Sequence, residues 1–115
     1  MRLTRKTISC AQNLLAHQAR LHDRGGHAKA QANEAFHAFT VHDLRESVRL
    51  FSEALETCGD CEIEGALHRD LGLTLCRDGQ IERGADELRK ALVLNPEDRE
   101  AAKALETIRA LNKTE

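Results

Sequence analysis

Between Ala66 and Pro96 the chain sets Leu71, Gly72, Leu75, Gly79, Gly84, Leu88, Ala91 and Pro96 at spacings that describe two helices packed as a hairpin. Gly72 and Gly84 are small enough for the two backbones to approach, and Leu71, Leu75 and Leu88 fill the seam. Ala91 keeps the second helix close to whatever follows. Pro96, which lacks an N–H and has a fixed φ, stops one helix and starts the next. On this register Gly84→Leu overpacks the seam, whereas Gly84→Ala is expected to be tolerated because Ala is the better helix former. A hairpin of this kind cannot bury its apolar faces alone, so the unit must be stacked on others.

The pattern occurs once more upstream, in KAQANEAFHAFTVHDLRESVRLFSEALE. Ser47 and Gly84, Phe51 and Leu88, and Ala54 and Ala91 are each 37 residues apart (84 − 47, 88 − 51, 91 − 54). These residues resemble the tetratricopeptide repeat, whose period is roughly 34 residues. The resemblance covers residues 28–98, as two repeats at about 28–61 and 65–98. It departs from the family at Glu34, where a Leu is usual, and at His42, where a Gly is favoured. Three extra residues must lie between the repeats, and they fall in Thr57-Cys58-Gly59-Asp60-Cys61-Glu62, with Gly59 in place of the usual Pro.

The resemblance implies an all-α, right-handed helical stack, and the chain divides into about six helices. The first, about Thr7 to Asp23, carries Ile8, Ala11, Leu15 and Ala19 on one stripe and is expected to stop at Gly25-Gly26. It forms, within residues 1–27, an amphipathic helix packing on the stack. Two helices per repeat follow, at about Ala28 to Thr40, Asp43 to Cys58, Cys61 to Arg77 and Gln80 to Leu94. The last opens with Asn95 as N-cap and Pro96 in its first turn, and within residues 99–115 it caps the stack. Residues 1–22 hold Arg2, Arg5, Lys6 and Arg20 and no acidic residue, so an organelle-targeting presequence is the alternative to a packed helix there.

Composition agrees with closely packed helices. Hydrophobic content of 41% suffices for a core, but aromatic content of 3% with no Trp or Tyr makes that core one of Ala and Leu. Seventeen basic and 19 acidic side chains leave a net charge of −2, which favours neither nucleic acid nor membrane surfaces. Four cysteines without a secretory signal lead to the expectation of reduced thiols in a cytoplasmic setting.

Function in the family lies on the concave surface made by the first helix of each repeat. The resemblance therefore points to Lys29, Asn33, Phe36 and Phe39 on one helix, Arg69, Asp70 and Leu73 on the next, and Lys103 on the last. Lys29 and Asn33 share a helix face at i, i+4, resembling the KxxxN of chaperone-binding members that grip a C-terminal carboxylate. Asp70 stands where those members carry a second Asn and would repel a carboxylate; Glu100 and Ala104 replace the remaining clamp residues. A mixed groove for a short peptide or helix is the reading adopted, with Phe36, Phe39 and Leu73 as floor and Lys29, Arg69 and Asp70 as rim.

Chemistry has little foothold. Cys58 and Cys61 form a CxxC, with His68 and Cys76 as the further ligands a metal would need. The pair follows a helix rather than a strand, and Glu56, Asp60, Glu62 and Glu64 disfavour a thiolate. It reads as a lengthened loop with two incidental thiols; Cys10 and Cys76 read as small buried hydrophobes. The six histidines show no catalytic or metal spacing and read as solvated. The expectation is a non-enzymatic, cofactor-free adaptor, scaffold or accessory subunit binding protein or peptide, with exposed stack ends offering a route to homo-oligomers. A small thiol or zinc protein is the rival.

Overall fold

The structure, a computed structural model, describes residues 24–113. They are helical at 24–40 (α1), Leu44–Cys58 (α2), Glu64–Arg77 (α3), Ile81–Leu94 (α4) and Arg99–Lys113 (α5). The described residues contain no strand. The helix expected over Thr7 to Asp23 lies outside them. Each helix buries one stripe: Ala28, Ala32, Ala35 and Ala38 on α1, then Ser47, Leu50, Phe51 and Ala54 on α2. Leu67, Leu71 and Leu75 of α3 extend that core, and Leu88, Ala91 and Ala101 begin a second cluster between α4 and α5.

The two hairpins repeat in backbone detail at the 37-residue offset. Each turn places one residue in the left-handed region, His42 (φ 63°) and Gly79 (φ 87°). In the first turn the His42 amide donates to the Phe39 carbonyl (3.1 Å) and the Asp43 amide to the Ala38 carbonyl (2.9 Å). In the second, Gly79 donates to Cys76 (3.1 Å) and Gln80 to Leu75 (2.8 Å). Both therefore satisfy the last carbonyls of a helix by the same reversed turn. The tight position that favours Gly is the one where the first repeat carries His42.

The helix crossings also correspond. Gly72 and Gly84 meet so closely that a Cβ on Gly84 would lie 2.8 Å from the Gly72 carbonyl oxygen. At the equivalent crossing the buried Ser47 hydroxyl donates to the Ala35 carbonyl (2.9 Å), so a hydroxyl occupies space that the second hairpin closes. The expectation that Gly84→Ala is tolerated does not survive this geometry. Even one methyl group collides with backbone, which cannot move aside as a flexible side chain can.

Three local expectations are corrected. Gly25 and Gly26 do not stop a helix, because α1 runs through both. Asn95 does not cap α5: it closes α4, and its side chain accepts from the Glu97 amide (3.2 Å). The N-cap is Asp98, whose Oδ1 accepts from the Ala101 amide (3.1 Å), and α5 starts after Pro96 and Glu97 have formed a turn. Cys58 and Cys61 are not reduced thiols but a disulfide, with Cα atoms 5.0 Å apart across the α2–α3 corner. The corner's Cys61 amide donates to the Cys58 carbonyl (3.1 Å), just as Asp98 donates to Asn95 (3.1 Å) 37 residues later. Helix α3 begins three residues after Cys61 and α5 one residue after Asp98, so extra residues between the repeats sit at Glu62-Ile63.

Candidate functional site

A groove of about 360 Å3 runs between α1 and α3. Lys29, Ala32, Asn33 and Phe36 line it from α1, with the backbone of Gly25 and Gly26 at its end. Glu62 and Ile63 of the corner, followed by Ala66, Leu67 and Asp70 of α3, make the other wall. The side chains recur at i, i+3 and i+4 on each helix, so two helices packed side by side hold an apolar floor between polar edges. Phe36 is 45% exposed on the groove side. Its ring meets the buried Phe51 ring edge-on at 5.1 Å, an arrangement that fixes the exposed aromatic in place.

Of the residues expected from the sequence, Lys29, Asn33, Phe36 and Asp70 meet in this groove. The others are deployed elsewhere. Arg69 turns towards α5: its Nε lies 3.0 Å from Asp70 Oδ1 and 3.6 Å from Glu100 Oε2, and its Nη1 lies 3.3 Å from Asp98 Oδ2. One guanidinium serves three carboxylates and ties α3 to the start of α5. Burial works against the Arg69 charge, but Asp70, Asp98 and Glu100 together raise its pKa above the ordinary arginine value. At Asp70 burial pushes the carboxyl above its ordinary range, outweighing the pull of Arg69.

Leu73 is not part of the groove floor, since it packs against the cluster of Leu88, Ala91 and Ala101. Phe39 is half-buried, with the Arg77 guanidinium 5.8 Å over its ring, a cation–π contact that covers the face a ligand would need. Lys103 is exposed on α5. The groove residues not foreseen are Gly25, Gly26, Glu62, Ile63 and Leu67. The glycines were hidden by their reading as a helix stop, and Ile63 by its position in the loop.

The candidates for chemistry are otherwise engaged. The Cys58 and Cys61 sulfurs are bonded to each other, and both residues are buried. His68, the further ligand a zinc reading requires, is not solvated: its Nδ1 lies 2.6 Å from Glu87 Oε2 across the α3–α4 seam and its Nε2 3.6 Å from Glu64. Burial raises the Glu87 carboxyl, but the hydrogen bonds from His68 and Lys90 outweigh it and hold the pKa below the ordinary glutamate value. Cys76 is half-buried, and burial pushes its thiol up. Among the described residues no three His, Cys, Asp or Glu side chains converge as metal ligands. No helix among them is long and apolar enough to cross a membrane. Neither a protein-family model, nor a curated protein, nor a solved structure matches this chain.

Proposed function

We propose that this chain is a non-catalytic protein-interaction module of tetratricopeptide type, holding a short peptide or helix in the groove between α1 and α3. The observation that carries the reading is the groove itself, where an ammonium, an amide, two carboxylates and a fixed phenyl ring border an apolar floor. Such a surface has apolar anchors beside polar orienting groups, the composition of a recognition site. The two hairpins related by 37 residues support the repeat assignment, and their stacking is what sets α1 beside α3.

The test is selection of peptides on the intact protein from a displayed random library, followed by titration of the winners against variants. Ala66→Trp fills the groove from its α3 wall and is expected to weaken binding at least about tenfold, or about 1.4 kcal/mol, with an unchanged circular dichroism spectrum. Lys29→Ala is expected to have that effect only on peptides ending in a free carboxylate, which distinguishes a carboxylate-gripping use of Lys29 and Asn33 from a groove for internal segments. Equal affinity of the parent and Ala66→Trp for every winner would remove the groove from consideration.

A further inference from the structure

The disulfide closes a corner that no side chain caps, and that corner is one wall of the groove. Helices α2 and α5 each begin under a carboxylate: Asp43 Oδ1 accepts from the Glu46 amide (3.3 Å) and Asp98 Oδ1 from the Ala101 amide (3.1 Å). At the same place α3 has Ile63, whose side chain can accept nothing. The start of α3 is held instead through Cys61. Its amide donates to the Cys58 carbonyl (3.1 Å), its carbonyl accepts from the Glu64 amide (3.2 Å), and its sulfur is bonded to that of Cys58. Helix α1 rests on this corner, since a Cβ on Gly25 would lie 3.2 Å from Glu62 Oε1 and 3.8 Å from the Cys61 Cβ. Glu62 and Ile63, the two residues after the bridge, are the corner's share of the groove lining.

Access to the sulfurs comes from a second cleft. Cys58 is fully buried, at 0% exposure, whereas Cys61 keeps 5%. With Asp60, Glu62 and Glu64, Cys61 lines a cleft of about 510 Å3 that Leu94 and Asn95 border from the next corner. Glu62 and Ala66 line both this cleft and the groove, so the corner is the partition between them. Taking the groove as the peptide site, we propose that the Cys58–Cys61 bridge is a thiol–disulfide exchange site that controls it, with a dithiol reductant as its substrate. One thiolate of the dithiol enters the cleft and attacks the Cys61 sulfur; the bond to Cys58 breaks, and Cys58 leaves as a thiolate and takes up a proton. The second thiolate of the reductant then attacks the reductant's own sulfur in the mixed disulfide. That closes the reductant's internal disulfide and releases Cys61, which is protonated in turn. Two electrons and two protons pass from the dithiol to the bridge. With the sulfurs apart, α3 begins with neither a cap nor a covalent tie, Glu62 and Ile63 lose their fixed place, and the groove binds more weakly.

Three comparisons on the full chain test the site. Reduction with dithiothreitol should speed hydrogen exchange about tenfold or more across residues 59–67 and the first two turns of α1, with Arg99–Lys113 unchanged. The double variant Cys58→Ser with Cys61→Ser should exchange like the reduced parent and ignore dithiothreitol. Equal exchange at the corner in both redox forms, or an equal loss of protection in every helix, would overturn the proposal and leave the bridge a plain staple. Iodoacetamide, read by peptide mass spectrometry, should modify Cys61 in Cys58→Ser at least about tenfold faster than Cys58 in Cys61→Ser, as the more accessible thiol. The reverse order would overturn the route of attack. The third probe is the tightest peptide selected on the oxidised chain, which should bind the reduced chain about tenfold more weakly. Because coupling is reciprocal, saturation with that peptide should raise the ratio of reduced to oxidised dithiothreitol needed for half-reduction by the same factor. Equal affinity for the two redox forms would overturn control of the groove. A selection that yields no peptide would instead remove the peptide reading, and the exchange comparison would still decide whether the bridge holds the groove wall.

Discussion

The crossing of Gly72 and Gly84 fixes how close α3 and α4 can lie, and it makes glycine at these places a matter of contact rather than flexibility. A Cβ on Gly84 would also sit 3.1 Å from the Cys76 amide nitrogen. Gly84→Ala should therefore lower the urea-unfolding free energy by about 1–3 kcal/mol through overpacking. Gly26→Ala is the internal comparison, since nothing lies within 4 Å of its would-be Cβ and α1 is helical there. It should gain about 0.5–1 kcal/mol from helix propensity. If both alanines shifted the midpoint in the same direction, the close approach would not be the cause. The position of the crossing was legible from the leucine and glycine spacing, but its tightness was not. Spacing reports which residues face each other and says nothing of tenths of an ångström.

At the scale of single elements, the corners and seams hold what local pattern obscured. The acidic neighbours of Cys58 and Cys61 bear on thiolate formation, whereas a disulfide depends on whether a four-residue turn brings two Cα atoms within reach. At 5.0 Å it does. Closing so short a loop is worth about 2 kcal/mol in the chain-entropy description. Dithiothreitol should thus lower the melting temperature of the parent by several degrees, and Cys58→Ala with Cys61→Ala should melt low in both conditions; identical parent curves with and without reductant would count against the bridge. The helix ends were misread where two signals compete. Asn95, Pro96 and Asp98 are all helix-start residues, and Arg69 decides in favour of Asp98 by pairing with the carboxylate that also caps α5. The α3–α4 seam brings a pH dependence. Because the folded pKa of Glu87 lies below its ordinary value, its contribution is present above the unfolded glutamate pKa and is lost as pH falls through the lower, folded value. The stability difference between the parent and Glu87→Gln should shrink on acidification through that range in a series of urea titrations. A difference that stayed flat with pH would mean that the His68 contact adds nothing to the fold.

Across the whole molecule, the helical class and the α1 half of the groove were legible because the two repeats share one offset, which carries Lys29, Asn33 and Phe36 to the face opposite Asp70. The remainder of the expected site was not legible, because the start of α5, the α4–α5 cluster and the last residue of α3 claim those side chains. Arg69 serves Asp98, Leu73 joins the α4–α5 cluster, and Arg77 covers Phe39. None of these uses is marked by a spacing within a single repeat. If Arg69 is an inter-helix tie, Arg69→Ala leaves the buried Asp98 carboxylate without its cation, at a cost of about 1–3 kcal/mol. The change should raise amide exchange across Arg99–Lys113 far more than across α2, while peptide affinity in the groove changes little. Uniform loss of protection, or a selective loss of affinity, would instead assign Arg69 to the core or to the groove.

That tie matters because α5 fully buries a single side chain, Ala101, and the corner before it is closed by hydrogen bonds where the earlier corner is closed by a covalent bond. Under heat, a protease or a pulling force, unravelling that begins at Lys113 should be checked where Arg69 grips Asp98 and should reach the groove between α1 and α3 only after α4 has let go, so the groove should outlast a frayed C-terminal helix.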